Sequence, residues 1–189
     1  MGLMPLLIAT ASAGSSSETF VQRPVAGHPV FDMRIGADRI DVGHPFICAE
    51  AAPLKWLSVE GCGTGSGFLH HDPDYSDMAH FRARGRVFNT GEGRTSADVL
   101  VGLGFAEVQT TADEAGFKFG KATEPDPIEA AGPEASVSIK GRLWLDGGGR
   151  TYATADLNAG AAVIAAAPEV LGQEGPVVPF AALTVGLGF

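Results

Sequence analysis

The 189-residue chain is long enough for one domain and, at 45% hydrophobic residues, too apolar to remain disordered. A net charge of −9 argues against a basic surface for nucleic acid, and the mean hydropathy of +0.13 is high for a water-soluble protein. No run of 18 apolar residues occurs, which excludes a transmembrane helix but not the alternating strands of a membrane barrel.

The opening "MGLMPLLIATASAGSSSETF" reads as a secretory signal over residues 1–13, with an apolar stretch from Leu3 to Ile8 and an Ala11-Ser12-Ala13 cleavage pattern, although no Lys or Arg precedes it. Residues 14–30 then form an N-terminal extension, and 31–189 the folded domain. In an exported chain an isolated cysteine pair, Cys48 and Cys62, is most simply one disulfide.

From residue 31 onward the hydrophobic period is two. Residues 31–42 set Phe31, Met33, Ile35 and Ala37 against Asp32, Arg34 and Asp38. Residues 56–69 set Leu57, Val59 and four glycines against Ser58, Glu60 and Cys62. Residues 78–88 set Ala79, Phe81, Ala83 and Val87 against His80, Arg82, Arg84 and Arg86. Residues 96–109 set Val99, Val101 and Leu103 against Ser96, Asp98 and Gly102. The short "GFKFG" places Phe117 and Phe119 around Lys118. Residues 135–145 and 153–163 form a hairpin, with Val137, Ile139, Leu143, Leu157 and Val163 opposed to Ser136, Lys140, Arg142, Asp156 and Asn158. The last strand, 177–189, alternates Ala181, Leu183, Val185, Leu187 and Phe189 with Thr184 and two glycines, and 160–171 has room for a short helix.

These strands predict an all-β, antiparallel up-and-down barrel of eight strands that spans a membrane. Counting back from Phe189 puts 165–176, 121–133, 89–95 and 43–53 at one end as outer loops, and 146–150, 110–115 and 70–77 at the other as inner turns.

Alternation alone does not say which face meets water. A soluble barrel points its apolar residues inward at a ligand, and a membrane barrel reverses this. The polar face mixes Ser, Thr, Gly and Asn with Asp32, Lys118 and Glu134 and with the ten residues named for a lumen network, Arg34, Glu60, His80, Arg82, Arg84, Arg86, Asp98, Lys140, Arg142 and Asp156. Such a set suits a paired network in a narrow lumen, where buried charges need partners. The opposite face runs through Ala, Val, Leu, Ile and Phe with few charges.

The ending "FAALTVGLGF", with its C-terminal Phe189, resembles the closing signature of bacterial outer-membrane barrels, and "TYATADLNAGAAVI" is similar in style to strands of the OmpX, OmpW and PagL types. That resemblance implies outer-membrane lipid and the barrel-assembly machinery as partners, with Phe189 as the assembly signal. No cofactor is expected.

Other chemistries are poorly supported. His70, His71 and Asp72 sit in "HHDPDYSD", a polar turn by composition. No CxxC occurs, and the histidines are not at ligand spacing, so no metal site is expected. A lipid deacylase would need a His–Ser–acid set, yet no H-x-S triplet occurs and residues 81–189 hold no His. "GEG", "GGG" and "GCGTGSG" open no helix and are not phosphate loops. The expectation is an outer-membrane barrel with a charge-paired lumen and a structural, surface or small-solute role. A soluble periplasmic barrel for an apolar ligand and a lipid-modifying barrel enzyme are the alternatives.

Overall fold

In the computed structural model, residues 29–40, 43–64, 76–110, 117–122 and 127–189 are described. The proposed signal, most of the extension and the His70-His71-Asp72 turn lie outside the described residues. Eight strands run in chain order: β1 (Phe31–Asp38), β2 (Phe46–Leu54), β3 (Leu57–Gly63), β4 (Ser76–Glu92), β5 (Thr95–Thr110), β6 (Glu129–Trp144), β7 (Tyr152–Val163) and β8 (Val177–Gly188). Each pairs antiparallel with the next, and β1 pairs with β8 from Asp32↔Gly188 to Asp38↔Ala182, closing the barrel.

Closure removes every sheet edge along the barrel wall. The seam is tight. A Cβ on Gly186 would stand 1.9 Å from the Met33 carbonyl oxygen, and one on Gly36 would stand 1.9 Å from that of Leu183. Only glycine lets β1 and β8 approach this closely.

The strand count agrees with the expectation through two compensating differences. Residues 46–54 form β2, where a loop was expected across 43–53. The "GFKFG" segment is not a wall strand: Phe119 makes one isolated parallel bridge to Ala131, and the Ala131 amide donates to the Lys118 carbonyl. Its rings lie on the outer wall, with Phe117 4.9 Å and Phe119 5.6 Å from Phe105.

Inserting β2 reverses the end assigned to several connections. Residues 55–56, 93–94 and 145–151 join strands at the end where the chain enters and leaves. Residues 39–45, 64–75, 111–128 and 164–176 join them at the other. The expected outer loop 89–95 is thus a tight turn at the terminal end. The expected inner turns 110–115 and 70–77 belong to the long connections. All four longer joins connect strands at the same end of the barrel, a sharper asymmetry than the sequence predicted. The expected helix is α1 (Ala167–Leu171), ended by Gly172 in the left-handed conformation, φ 64°.

Inside and outside are sorted by parity. Met33, Ile35, Leu103, Val137, Ile139, Leu157, Leu183, Val185 and Leu187 point outward and are exposed. Their neighbours Asp32, Arg34, Arg84, Ser138, Lys140, Asp156 and Thr184 point inward and are buried. The end carrying the long connections is closed by an apolar plug. Met78, Val108, Ile164, Val178 and Phe180 pack there against Ala167 and Val170 of α1. Trp144 and Tyr152, with ring centroids 5.0 Å apart, line the lumen toward the terminal end.

Candidate functional site: the lumen charge network

Period-two strands deliver every second side chain to the lumen, so residues far apart in sequence meet there. Arg84 on β4 is the hub. Its Nη1 donates to Glu50 Oε2 at 2.9 Å and to Glu60, and its Nη2 donates to Ser138 Oγ and Asp156. Arg34 on β1 reaches Asp32 at 2.8 Å, Glu50 at 2.9 Å, Asp156 at 2.7 Å and Glu60. The Lys140 ammonium donates to Glu50 Oε2 at 2.7 Å and to Asp32. Six of the eight strands meet in this one cluster.

Smaller groups flank it. Arg82 Nε donates to Glu60 Oε1 at 2.8 Å. Asp98 accepts from Arg142 and from Asn89, and the Arg86 Nε lies 3.3 Å from it. Arg86 differs from the rest, its side chain being 25% exposed at the terminal mouth. His80 Nδ1 and Glu134 Oε2 share a hydrogen bond at 2.6 Å. The imidazole lies between Phe180, 4.4 Å away, and Phe46, 5.8 Å away, by ring centroid.

The ten residues named for the lumen network face it, whereas Lys118, placed on the same polar face from sequence, lies on the segment outside the wall with its side chain 40% exposed. Glu50 was missed. It joins three of the cations, but its strand had been read as a loop, so its parity was invisible. Asp32 and Glu134 carried the same signal and belong to the network.

Ionised side chains cost several kcal/mol each to bury, so removing one partner is far costlier than removing a whole pair. The three carboxylates Glu50, Glu60 and Asp156 bring oxygens within 4.8 Å of one another, a spacing that a cation could bridge. Here Arg34, Arg84 and Lys140 occupy that role. The His80–Glu134 pair has the form of a base and its orienting acid. It is buried, however, with His80 1% exposed, and of the nearby serines Ser138 is bound to Arg84 while Ser136 lies against Gly102. An opening at the terminal mouth, lined by Lys55, Trp56, Arg86 and Arg142, holds only about 10 Å³, no more than the room for one water molecule.

Cys48 and Cys62 are directly opposed on β2 and β3 and form a disulfide inside the lumen, buried with Phe46 and Ala182. Phe189 is 63% exposed, its ring 5.7 Å from that of Phe31.

No protein-family model matches this chain, and no curated protein matches it. Among solved structures it is similar to Ail, the attachment invasion locus protein of Yersinia pestis. The two share 11% sequence identity over 84% of this chain and 93% of that one, with a TM-score of 0.37.

Proposed function

We propose that this chain is an exported outer-membrane barrel with a closed lumen, whose role is structural or surface-directed rather than passage of solutes. One observation carries the reading: the faces are inverted relative to a water-soluble barrel. Charged side chains fill the interior and branched apolar ones coat the outside, as in a barrel solvated by acyl chains.

Aromatic residues at the two ends of the apolar wall support this. Trp56, Phe88 and Phe189 are exposed at the terminal end. Phe81, Phe105, Phe117 and Phe119 cluster toward the other. Phenylalanine thereby marks the edges of the wall where Tyr and Trp are scarce. The "GFKFG" segment supplies two of these rings from outside the strands.

The apolar plug beneath α1 and the ion-paired middle leave little path along the lumen, which argues against conduction. The charged interior is equally unsuited to an apolar ligand, and the burial of His80 argues against lipid hydrolysis. The long connections at one end are the natural working surface, with the short turns and Phe189 on the periplasmic side. Phe189 is then free to be read by the barrel-assembly machinery, and outer-membrane lipid is the surrounding partner.

Cell fractionation with boiled and unboiled samples on SDS gels tests the reading. Recovery in the outer membrane with a heat-dependent mobility shift is the expected result. A soluble periplasmic protein without a shift overturns it.

A further inference from the structure

Arg34, Cys48, Cys62 and His80 stand in one register row across β1, β2, β3 and β4, through the pairs Arg34↔Cys48, Cys48↔Cys62 and Cys62↔His80. All four side chains point inward and are buried. Only the middle two belong to the β2–β3 hairpin, whose turn is residues 55–56. The flanking side chains arrive when β1 and β4 pair on either side. Phe46 of β2 and Ala182 of β8 share one buried cluster with the two cysteines, and the Arg82 Nη2 comes within 4.0 Å of the Cys62 sulfur. In the closed barrel Cys48 and Cys62 keep 3% and 7% of their exposure.

Disulfide formation and reduction both pass through a mixed disulfide with an incoming thiol or disulfide. A third sulfur has no room to approach in this row once the barrel is closed. The hairpin alone exposes both cysteines and already opposes them.

We infer that the Cys48–Cys62 bond is made on the β2–β3 hairpin before β1 and β4 close over it, and that closure seals it against oxidant and reductant alike. One cysteine thiolate attacks the disulfide of an oxidant, releasing one thiol. The second thiolate then displaces the other. Two protein thiols are oxidised, and one oxidant disulfide is reduced to two thiols. The order also enforces register, because a slip of one residue turns one cysteine to the opposite face and no bond forms.

The test uses the mature protein in detergent micelles, so it does not depend on the barrel's cellular surroundings. Dithiothreitol is added to folded and to urea-unfolded protein, and free thiols are counted by maleimide-polyethylene glycol shifts after quenching. The folded protein is expected to be reduced at least ~10³-fold more slowly, because the sulfurs are exposed only through global opening. In a second arm the chain is reduced while unfolded, placed in folding conditions, and then given oxidised glutathione. Either the chain closes with thiols that stay reduced, or it closes only after oxidation; both outcomes place the bond before closure. Reduction or oxidation at similar rates in folded and unfolded protein overturns the inference.

Discussion

Arg84 on β4 donates a hydrogen bond to Asp156 on β7, across the lumen and 72 residues along the chain. The same guanidinium holds Glu50 and Glu60, so one side chain ties four strands together. Replacing Arg84 with Met leaves Glu50 to Arg34 and Lys140, Asp156 to Arg34, and Glu60 to Arg34 and Arg82. Such a loss costs about 3–5 kcal/mol. Arg86→Met, at the half-open mouth, should cost no more than about 1 kcal/mol. The urea midpoint of the barrel in vesicles checks both, and similar effects at the two sites would contradict the network.

The outer wall responds to charge by depth. Leu183 is exposed within β8 beside Thr184, which lies in the charged layer, whereas Leu54 ends β2. Leu183→Arg should destabilise the assembled barrel by about 2–4 kcal/mol and Leu54→Arg by about 0–1. Unfolding titrations in vesicles read the difference. Equal tolerance at both sites would mean that the wall does not meet acyl chains.

At the closing seam, Gly186→Val drives a side chain into the Met33 backbone, while a Cβ at Gly147, in the β6–β7 turn, meets nothing within 4 Å. Gly186→Val is expected at or beyond the upper end of the ~1–3 kcal/mol typical of overpacking, and Gly147→Ala near zero. The fraction of chain showing a heat-dependent gel shift measures each.

The β6–β7 turn carries a pH signature. The Asp146 Oδ1 accepts from the Arg150 amide at 2.8 Å and the Thr151 amide at 3.3 Å. Those backbone hydrogen bonds, Arg150 first, hold its carboxyl below the ordinary value of 3.8. A lowered folded-state pKa stabilises the turn at pH above the unfolded value and is lost as pH falls through the folded one. The Arg150 amide resonance should therefore titrate at a pH below 3.8 and stop titrating in Asp146→Asn.

Much of this architecture was legible because β4 to β8 alternate cleanly. Where they do, parity alone assigned Arg84, Lys140, Arg142 and Asp156 to the lumen. The signal failed at β2. In "FICAEAAPL" the inward residues Phe46 and Cys48 are as apolar as the outward Ile47, Ala49 and Ala51, so Glu50 is left as a lone polar position and no period-two contrast builds up. It misfired at Phe117 and Phe119, because a segment lying on an apolar wall alternates just as a strand does. Those two residue-level ambiguities preserved the count of eight while exchanging the ends of several loops. The apolar plug under α1 was not legible, since it depends on which inward residues share a height in the barrel.

The most direct measurement is a spin-label scan through residues 181–187 of β8, one introduced cysteine at a time, in phospholipid bilayers. With Gly186 left out because no Cβ fits there, labels at 181, 183, 185 and 187 should collide readily with dissolved oxygen, while those at 182 and 184 should be shielded from it. Odd-numbered sites that instead collide with a water-soluble nickel complex, or a scan without a period of two, would contradict a barrel with lipid outside and charge within.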